Sequence, residues 1–405
     1  MALLNLDSHQ PKPAAFSLFN LAFRPFFLGG ALFAAFTMFV WLLLLQNKFT
    51  LDLGQLSAMQ WHAHEMIFGF TTAIATGFLL TALKNWTNQQ TPFGWTLVVL
   101  FGAWLLARIG WYLGPDWLWL TAATDLLYNL FFAIAFAIPV IKTRQWKQVG
   151  LLSKIILMGL LNALFYLQLL GVIAPTSLEQ GLTWAIYGGF FVILALVLTM
   201  ARRVIPFFIE KGVKSRTPLA NPAWIDYSSL GVFLLFAVTE VFFNAPLLSA
   251  LSAGLLTLIM AVRLKNWHHR GIWRRPMLWS LYSSMAFVTF GFLLYSLIPI
   301  APQLKYVALH ALAVGGISLV ISGMMTRVSL GHTGRNVLVP PKTTIWFMLL
   351  LVSAAVVRVI FPLFNMQNYP LWITLSQVLW ISAFLLFTLS YSSMLIKKRL
   401  DGRFG

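Results

Sequence analysis

The sequence predicts an all-α integral membrane protein with about twelve transmembrane helices, and three observations carry that prediction. Sixty per cent of the 405 residues are hydrophobic and only 9% are charged. Apolar runs of about 20 residues, the length that a ~30 Å hydrocarbon core requires, recur along the whole chain. The connecting segments are short, so no polar stretch remains that could fold in water as a separate domain. Any chemistry must therefore take place inside the helix bundle or at its two surfaces.

Taken in order, and bounded by charged or Pro/Gly/Asn-rich breaks, the spans are expected at 22–46, 62–83, 93–113, 117–141, 151–173, 180–201, 223–243, 246–264, 277–299, 304–326, 343–363 and 370–396. They make one polytopic domain over 1–405, with an N-terminal segment 1–21 and a C-terminal tail 397–405. The first twenty residues lack a cleavable-signal pattern, so the first span is read as a retained anchor. Positive charge sets the orientation. With the N-terminus in the cytoplasm, all Lys and Arg fall in inside segments except Lys48, Arg108, Lys305 and Arg358, so both termini are expected to be cytoplasmic. The net charge of +18 is then a topology signal with some affinity for anionic lipid, and calls for no nucleic acid.

The chain has no cysteine, which excludes disulfides, thiolate-bound copper, iron–sulfur clusters and covalently attached c-type haem. A metal would have to rest on His, Met, Glu, Asp or Tyr.

The polar residues that hydrocarbon should reject gather at one depth. In this topology the second and tenth spans both run inward. "QWHAHEMIFGF" puts His62, His64 and Glu65 near the outer end of the second, and His310 lies about two turns into the tenth. Arg108, Asp125, Glu240 and Arg358 also map to the outer half. Intramembrane ionisable groups are costly and usually face the bundle interior, so their grouping predicts a buried polar centre. A zinc-protease reading of the same stretch fails, because His64-Glu65 would need a histidine where Phe68 stands. On a regular helix His62 and His64 are about 200° apart, whereas His62, Glu65 and Met66 share a face, so one histidine of the two is expected in any one metal's shell.

A weak internal repeat supports a more specific arrangement. "TMARRVIPF" (Thr199 to Phe207) and "MMTRVSLG" (Met324 to Gly331) share a Met-x-x-Arg-Val frame at the inner ends of the sixth and tenth spans. The second span ends less similarly with "TALKNW", and the spacing suggests three units of four helices. A haem held between histidines of such units resembles the architecture of the haem–copper oxidase catalytic subunits. The departure is that the seventh span contains no histidine, while His268 and His269 lie in a basic loop read as solvated, so a standard oxygen-reducing binuclear centre is not expected.

Together, "LAFRPFFLGG", "WHAHEM", "GFLLTALKNWT", "ARRVIPFF", "HALAVGG" and "MTRVSLGHTGR" resemble the NnrS family of haem- and copper-containing bacterial membrane proteins. The resemblance implies about twelve spans in the bacterial inner membrane, bound haem of b type, copper, and a role in nitric oxide metabolism or resistance to nitrosative stress.

Under that resemblance, His310 and one of His62 or His64 are the expected haem ligands, with the deeper His64 preferred. Gly315 and Gly316 would leave room for a porphyrin or a neighbouring helix. Arg108 and Arg358 would offset haem propionates, and Glu65, Asp125 and Glu240 are candidates for proton delivery or for bonding a ligating imidazole. At the inner face, Gly331 and Gly334 flank His332 between Arg327 and Arg335. With Arg24, Arg202 and Arg203 they are expected to form a basic cluster for an anion, a propionate or a quinone head group. Copper could use His332 or the spare outer histidine, and Tyr306 is a further redox or proton candidate.

Three functions remain open. One is a redox enzyme that removes nitric oxide with electrons from membrane quinol. The second is a haem-based nitric oxide binder or sensor without turnover. The third is a transporter, for which the paired broken helices at mid-membrane are not evident.

Overall fold

The computed structural model describes residues 16–173, 177–213, 218–243 and 245–405. Most of the expected N-terminal segment 1–21, with Lys12, and the loop residue Arg216 lie outside the described residues. Among the described residues there is no strand, only an isolated bridge between Phe16 and Lys397. Eleven helices among the described residues are long and apolar enough to cross a membrane: α1 (Phe23–Leu45), α2 (Ala58–Thr87), α4 (Pro115–Lys142), α5 (Trp146–Leu169), α6 (Leu178–Val213), α7 (Ala223–Phe242), α8 (Pro246–Trp267), α9 (Pro276–Ser296), α10 (Pro302–His332), α11 (Thr343–Phe364) and α12 (Met366–Ile396). The shorter apolar α3 (Trp95–Gly110) completes the expected order. "TRVSLGH" differs from expectation, because α10 continues to His332 instead of giving way to a loop at Arg327.

The helices differ in how much lipid they meet. The most apolar windows of α2, α6 and α10 are 72%, 67% and 78% buried, against 33% for α7 and for α12. These are the second, sixth and tenth spans, and they touch one another at the centre of the bundle. Close approach there needs small residues: a Cβ on Gly189 of α6 would lie 2.6 Å from the Phe68 ring of α2. Gly315 and Gly316 serve the same end. A Cβ on Gly315 would lie 2.3 Å from Phe287 and one on Gly316 2.7 Å from Val288, so α9 covers the face that was expected to admit a porphyrin.

Two helices are locally unwound. A π-helical turn runs over Glu65–Thr71 in α2, directly after His64, and another over Ala311–Ile317 in α10, directly after His310. Hydroxyls help to satisfy the carbonyls that such turns displace. Thr71 donates to Met66 O at 2.7 Å and Thr72 to Phe68 O, while Ser318 donates to Val314 O. The indole of Trp104 on α3 donates to Gly69 O at 2.9 Å.

The bundle closes by joining its first and last spans. Arg24, in the first turn of α1 and fully buried, donates to the main-chain oxygens of Met394, Leu395, Lys397 and Gly405 at 2.6–3.2 Å. A helix C-terminus concentrates unpaired carbonyls and negative potential, so the cation and the end of α12 stabilise each other. The tail beyond is tied by Arg399, which bonds His332 O and both carboxylate oxygens of Asp401. That guanidinium holds the Asp401 carboxyl well below the usual carboxylate range, so the tie persists throughout the neutral and mildly acidic range. Arg24→Ala is expected to strip partners from several buried carbonyls and to cost at least about 3 kcal/mol. Thermal unfolding in detergent, with proteolysis of the C-terminal tail as a second reading, checks it.

Candidate functional site

The polar residues do not form one centre. Three separate groups occupy the end of the bundle where α2 and α10 begin, and the division follows from the π turn in α2.

The first group is fully enclosed. His64, Glu65, Arg108, Asp125, Asn162 and Tyr166 come from α2, α3, α4 and α5, and none is more than 2% exposed. Arg108 donates to Glu65 Oε1 at 2.5 Å and pairs through Nη2 with Asp125 Oδ2, which also accepts from the Tyr166 hydroxyl at 3.0 Å. The two ring nitrogens of His64 face Glu65 Oε1 and Asn162 Oδ1, each at 2.9 Å. Its ring packs against Phe165, with centroids 4.2 Å apart, and lies among Phe68, Trp111 and Tyr166.

The expected face shared by His62 and Glu65 is thus not formed: the π turn that starts at Glu65 keeps Glu65 beside His64. Arg108 is likewise held by two protein carboxylates instead of waiting for a propionate. Its guanidinium lies over Gly69, where a Cβ would come within 2.8 Å of Nη1.

The second group is half-buried. His62 stacks on Trp41 of α1 with ring centroids 4.7 Å apart and planes 6° from parallel, and its Nδ1 is buried without a hydrogen-bond partner. His310 Nδ1 donates to Tyr306 O at 2.7 Å, which leaves Nε2 as the basic nitrogen. Arg358 of α11 reaches the edge of the His310 ring, with Nη2 3.3 and 3.4 Å from its nitrogens, and donates to the Tyr369 hydroxyl at 2.9 Å. His62 and His310 each lie within electrostatic reach of Arg358, and of one another. Arg358 is 7% exposed, yet among the described residues it has no carboxylate partner.

The third group surrounds Glu240 at the end of α7. Its Oε1 accepts from the Tyr295 hydroxyl at 2.9 Å and from Lys305 Nζ at 3.0 Å, on the wall of a cavity of about 270 Å³.

The inner basic cluster is not assembled. Arg24 is consumed by the carbonyls of α12, Arg202 pairs with Asp226 at 2.8 Å, and Arg203 donates to Gln148 at 3.1 Å. Arg327 lies 4.1 Å over the Phe208 ring, and Arg335 turns back to Thr333 O at 3.4 Å. His332, the last residue of α10, has its ring 5.7 Å from that of Phe23. Arg24, Arg202, Arg203 and Arg335 are thus taken up by different protein oxygens and Arg327 by a ring face, its Nε buried without a partner among the described residues, so the five do not converge on one anion site.

Sequence reasoning missed Asn162, Tyr166, Trp41, Tyr369, Tyr295 and Lys305. Asn162 and Tyr166 carried a usable signal, being one turn apart in an otherwise apolar span. Among the described residues, no three or more of His, Asp and Glu form a metal-holding group, so a metal on the imidazoles of the second group would have two protein ligands.

Asp125→Asn leaves Arg108 with one carboxylate in a buried site and is expected to cost about 3–5 kcal/mol. Lys305→Gln, at a partly exposed pair, should change stability by less than about 1 kcal/mol. Unfolding midpoints of the two purified variants test the contrast.

No curated protein matches the chain. A family profile described as NnrS protein matches residues 17–399, which takes in every helix and all three polar groups. The chain therefore belongs to the NnrS family and is a membrane protein related to nitric oxide.

Proposed function

We propose that this protein binds haem b between His62 and His310 and acts with it in nitric oxide metabolism. The observation that carries the reading is the second polar group: a buried His62 nitrogen with no partner among the described residues, a His310 ring whose Nδ1–H goes to Tyr306 O and whose basic Nε2 meets only the Arg358 guanidinium at 3.4 Å, and a guanidinium without a carboxylate partner. This donor set suits haem iron, and a propionate would give Arg358 the counter-ion it lacks. His62 replaces His64 as the second-span ligand, because both nitrogens of His64 are already engaged.

The residues divide the work. The Tyr306 carbonyl fixes the tautomer and tilt of His310, as outer partners of metal-ligating histidines do. Trp41 holds the plane of His62. Glu65 and Asp125, bound by Arg108, anchor the turn of α2 that aims His62 away from His64. Bound haem would supply one-electron chemistry and a site for nitric oxide.

Reduction of nitric oxide with membrane quinol as electron donor is the enzymatic form of this reading. A second reading, binding or sensing without turnover, would need only the haem that these imidazoles would hold and no second metal, in keeping with the absence of a three-residue metal-holding group among the described residues. Copper has weaker support. His332 lies within reach of the charges of Arg24, Lys84 and Arg399, which repel a cation.

Absorption spectra and metal counts of His62→Ala, His310→Ala and His64→Ala decide the site. Loss of haem in the first two with the fold retained, and haem retained in the third, is the expected pattern. Haem kept in the first two would remove the assignment, and consumption of nitric oxide by the wild type separates turnover from binding.

We place the protein in the bacterial inner membrane with both ends in the cytoplasm. The first and last described segments share one face, since Ser17 N donates to Ile396 O at 2.8 Å. The absence of native cysteine makes the side testable. A cysteine at Gln46 should react with impermeant maleimide on intact spheroplasts, and one at Gly402 only after lysis.

A further inference from the structure

The cavity at Glu240 belongs to neither histidine group, and the geometry points to a binding site there for an isoprenoid quinol, with Glu240 as the acceptor of its proton. The electron-transfer part of this inference rests on the haem reading above; the binding part does not.

The cavity lies at the ends of α6, α7, α8, α9 and α10 on the side of the bundle where His310 sits. Its volume of about 270 Å³ is near the lower limit for small-molecule pockets, about 300 Å³. The walls are of two kinds. Trp184, Phe242 and Ile298 are apolar, and the Trp184 and Phe242 rings meet edge-on with centroids 5.6 Å apart. Glu240, Tyr295 and Lys305 are polar and converge on one spot. Such a site offers flat apolar surface to a ring and a donor–acceptor pair to its hydroxyl.

The carboxylate is half used. Oε1 takes both the tyrosine hydroxyl and the ammonium, while Oε2 has no hydrogen bond to a described residue. The carboxylate is 11% exposed. A carboxylate at membrane depth with one free oxygen at a cavity wall is suited to accept a hydroxyl proton.

The surroundings favour a ligand that arrives through lipid. Phe243, on the cavity wall, is 62% exposed, and Leu247, next in sequence to the lining residue Pro246, is 65% exposed, as apolar residues facing a bilayer would be. Lys305 also begins the helical turn that carries His310, five residues on, a rise of about 7.5 Å. Ring and imidazole would thus be within short electron-transfer range.

The step balances as follows. The two O–H bonds of the quinol break, one proton passing to Glu240 Oε2 and the other to water at the cavity mouth. The two electrons would leave one at a time for the haem that the His62–His310 site would hold, each passing on to a nitric oxide molecule before the next arrives (two nitric oxide, two electrons and two protons giving nitrous oxide and water), and the quinone returns to the bilayer. Lys305 Nζ, 3.0 Å from Oε1, supplies the carboxylate with a counter-charge at the cavity wall.

Photolabelling of the full-length protein in lipid nanodiscs with a short-chain azido-quinone tests the binding directly. The expected label falls on peptides covering 178–187 and 240–250, is competed by excess unlabelled quinone, drops at least ten-fold in Glu240→Gln and returns in Glu240→Asp. Haem content should not change in either variant. Label that is not competed, that falls on other peptides, or that persists undiminished in Glu240→Gln overturns the site. Because labelling needs no haem, the His62→Ala and His310→Ala proteins should still be labelled, and this separates failure here from failure of the haem assignment.

Discussion

The double pairing of Arg108 is the constraint from which the rest of this end of the bundle follows. A guanidinium cannot remain alone in a low-dielectric interior, and Arg108 is satisfied only when α2 delivers Glu65 and α4 delivers Asp125 to the same point. Three helices are thereby fixed in rotation as well as in separation. The π turn is the local adjustment that makes this possible, because it brings Glu65 next to His64, and Gly69 leaves the space in which the guanidinium lies. With Glu65 and His64 turned inward together, His62 is left on the opposite side of α2, toward α1 and α11. The position of one histidine is set by an ion pair that it does not touch.

The spans were legible because a bilayer imposes a long, simple requirement on sequence, and the observed helices lie close to the expected ranges. The intramembrane ionisable residues were legible for the same reason, since hydrocarbon makes each of them conspicuous. Their partners were not. Angular arithmetic on a regular helix set His62 with Glu65, whereas the Glu65 carboxylate is drawn to Arg108 and His64 and the His62 ring stacks on Trp41. The inner arginines looked alike in sequence but differ in fate. Arg24 meets the end of a helix more than 350 residues away, Arg202 a carboxylate, and Arg327 an aromatic ring. Nothing local distinguishes these outcomes. Gly315 and Gly316 were ambiguous between ligand space and close packing, and the bulk of Phe287 and Val288 on α9 resolves them as packing.

The three polar groups are graded in their access to solvent. The Arg108 group is sealed and its charges are paired with one another, so it behaves as scaffold. The His310 group is half-open, with one orphaned nitrogen and an uncompensated cation. The Glu240 group lines a cavity. Access rises along that series, and access and unpaired charge are a better guide to where a ligand can bind than the identity of the residues, since the sealed group is also rich in ionisable side chains. The paired π turns fit the same pattern. Each follows a histidine near the start of a central helix, and each displaces main-chain carbonyls that hydroxyls must then satisfy, a cost that selection retains most readily beside a site that works.

The grip of Arg24 on the end of α12 bears on how the molecule is made. During synthesis α1 leaves the ribosome first, carrying a cation whose acceptors belong to the last helix. Until α12 is in place that charge must stay at the lipid head groups, which keeps α1 shallow and free to shift. Arrival of α12 lets Arg24 descend and seals the ring. The first span is thus finished last, and a chain truncated before its final helix would present an unsatisfied charge at the membrane surface, a mark by which quality control could recognise it.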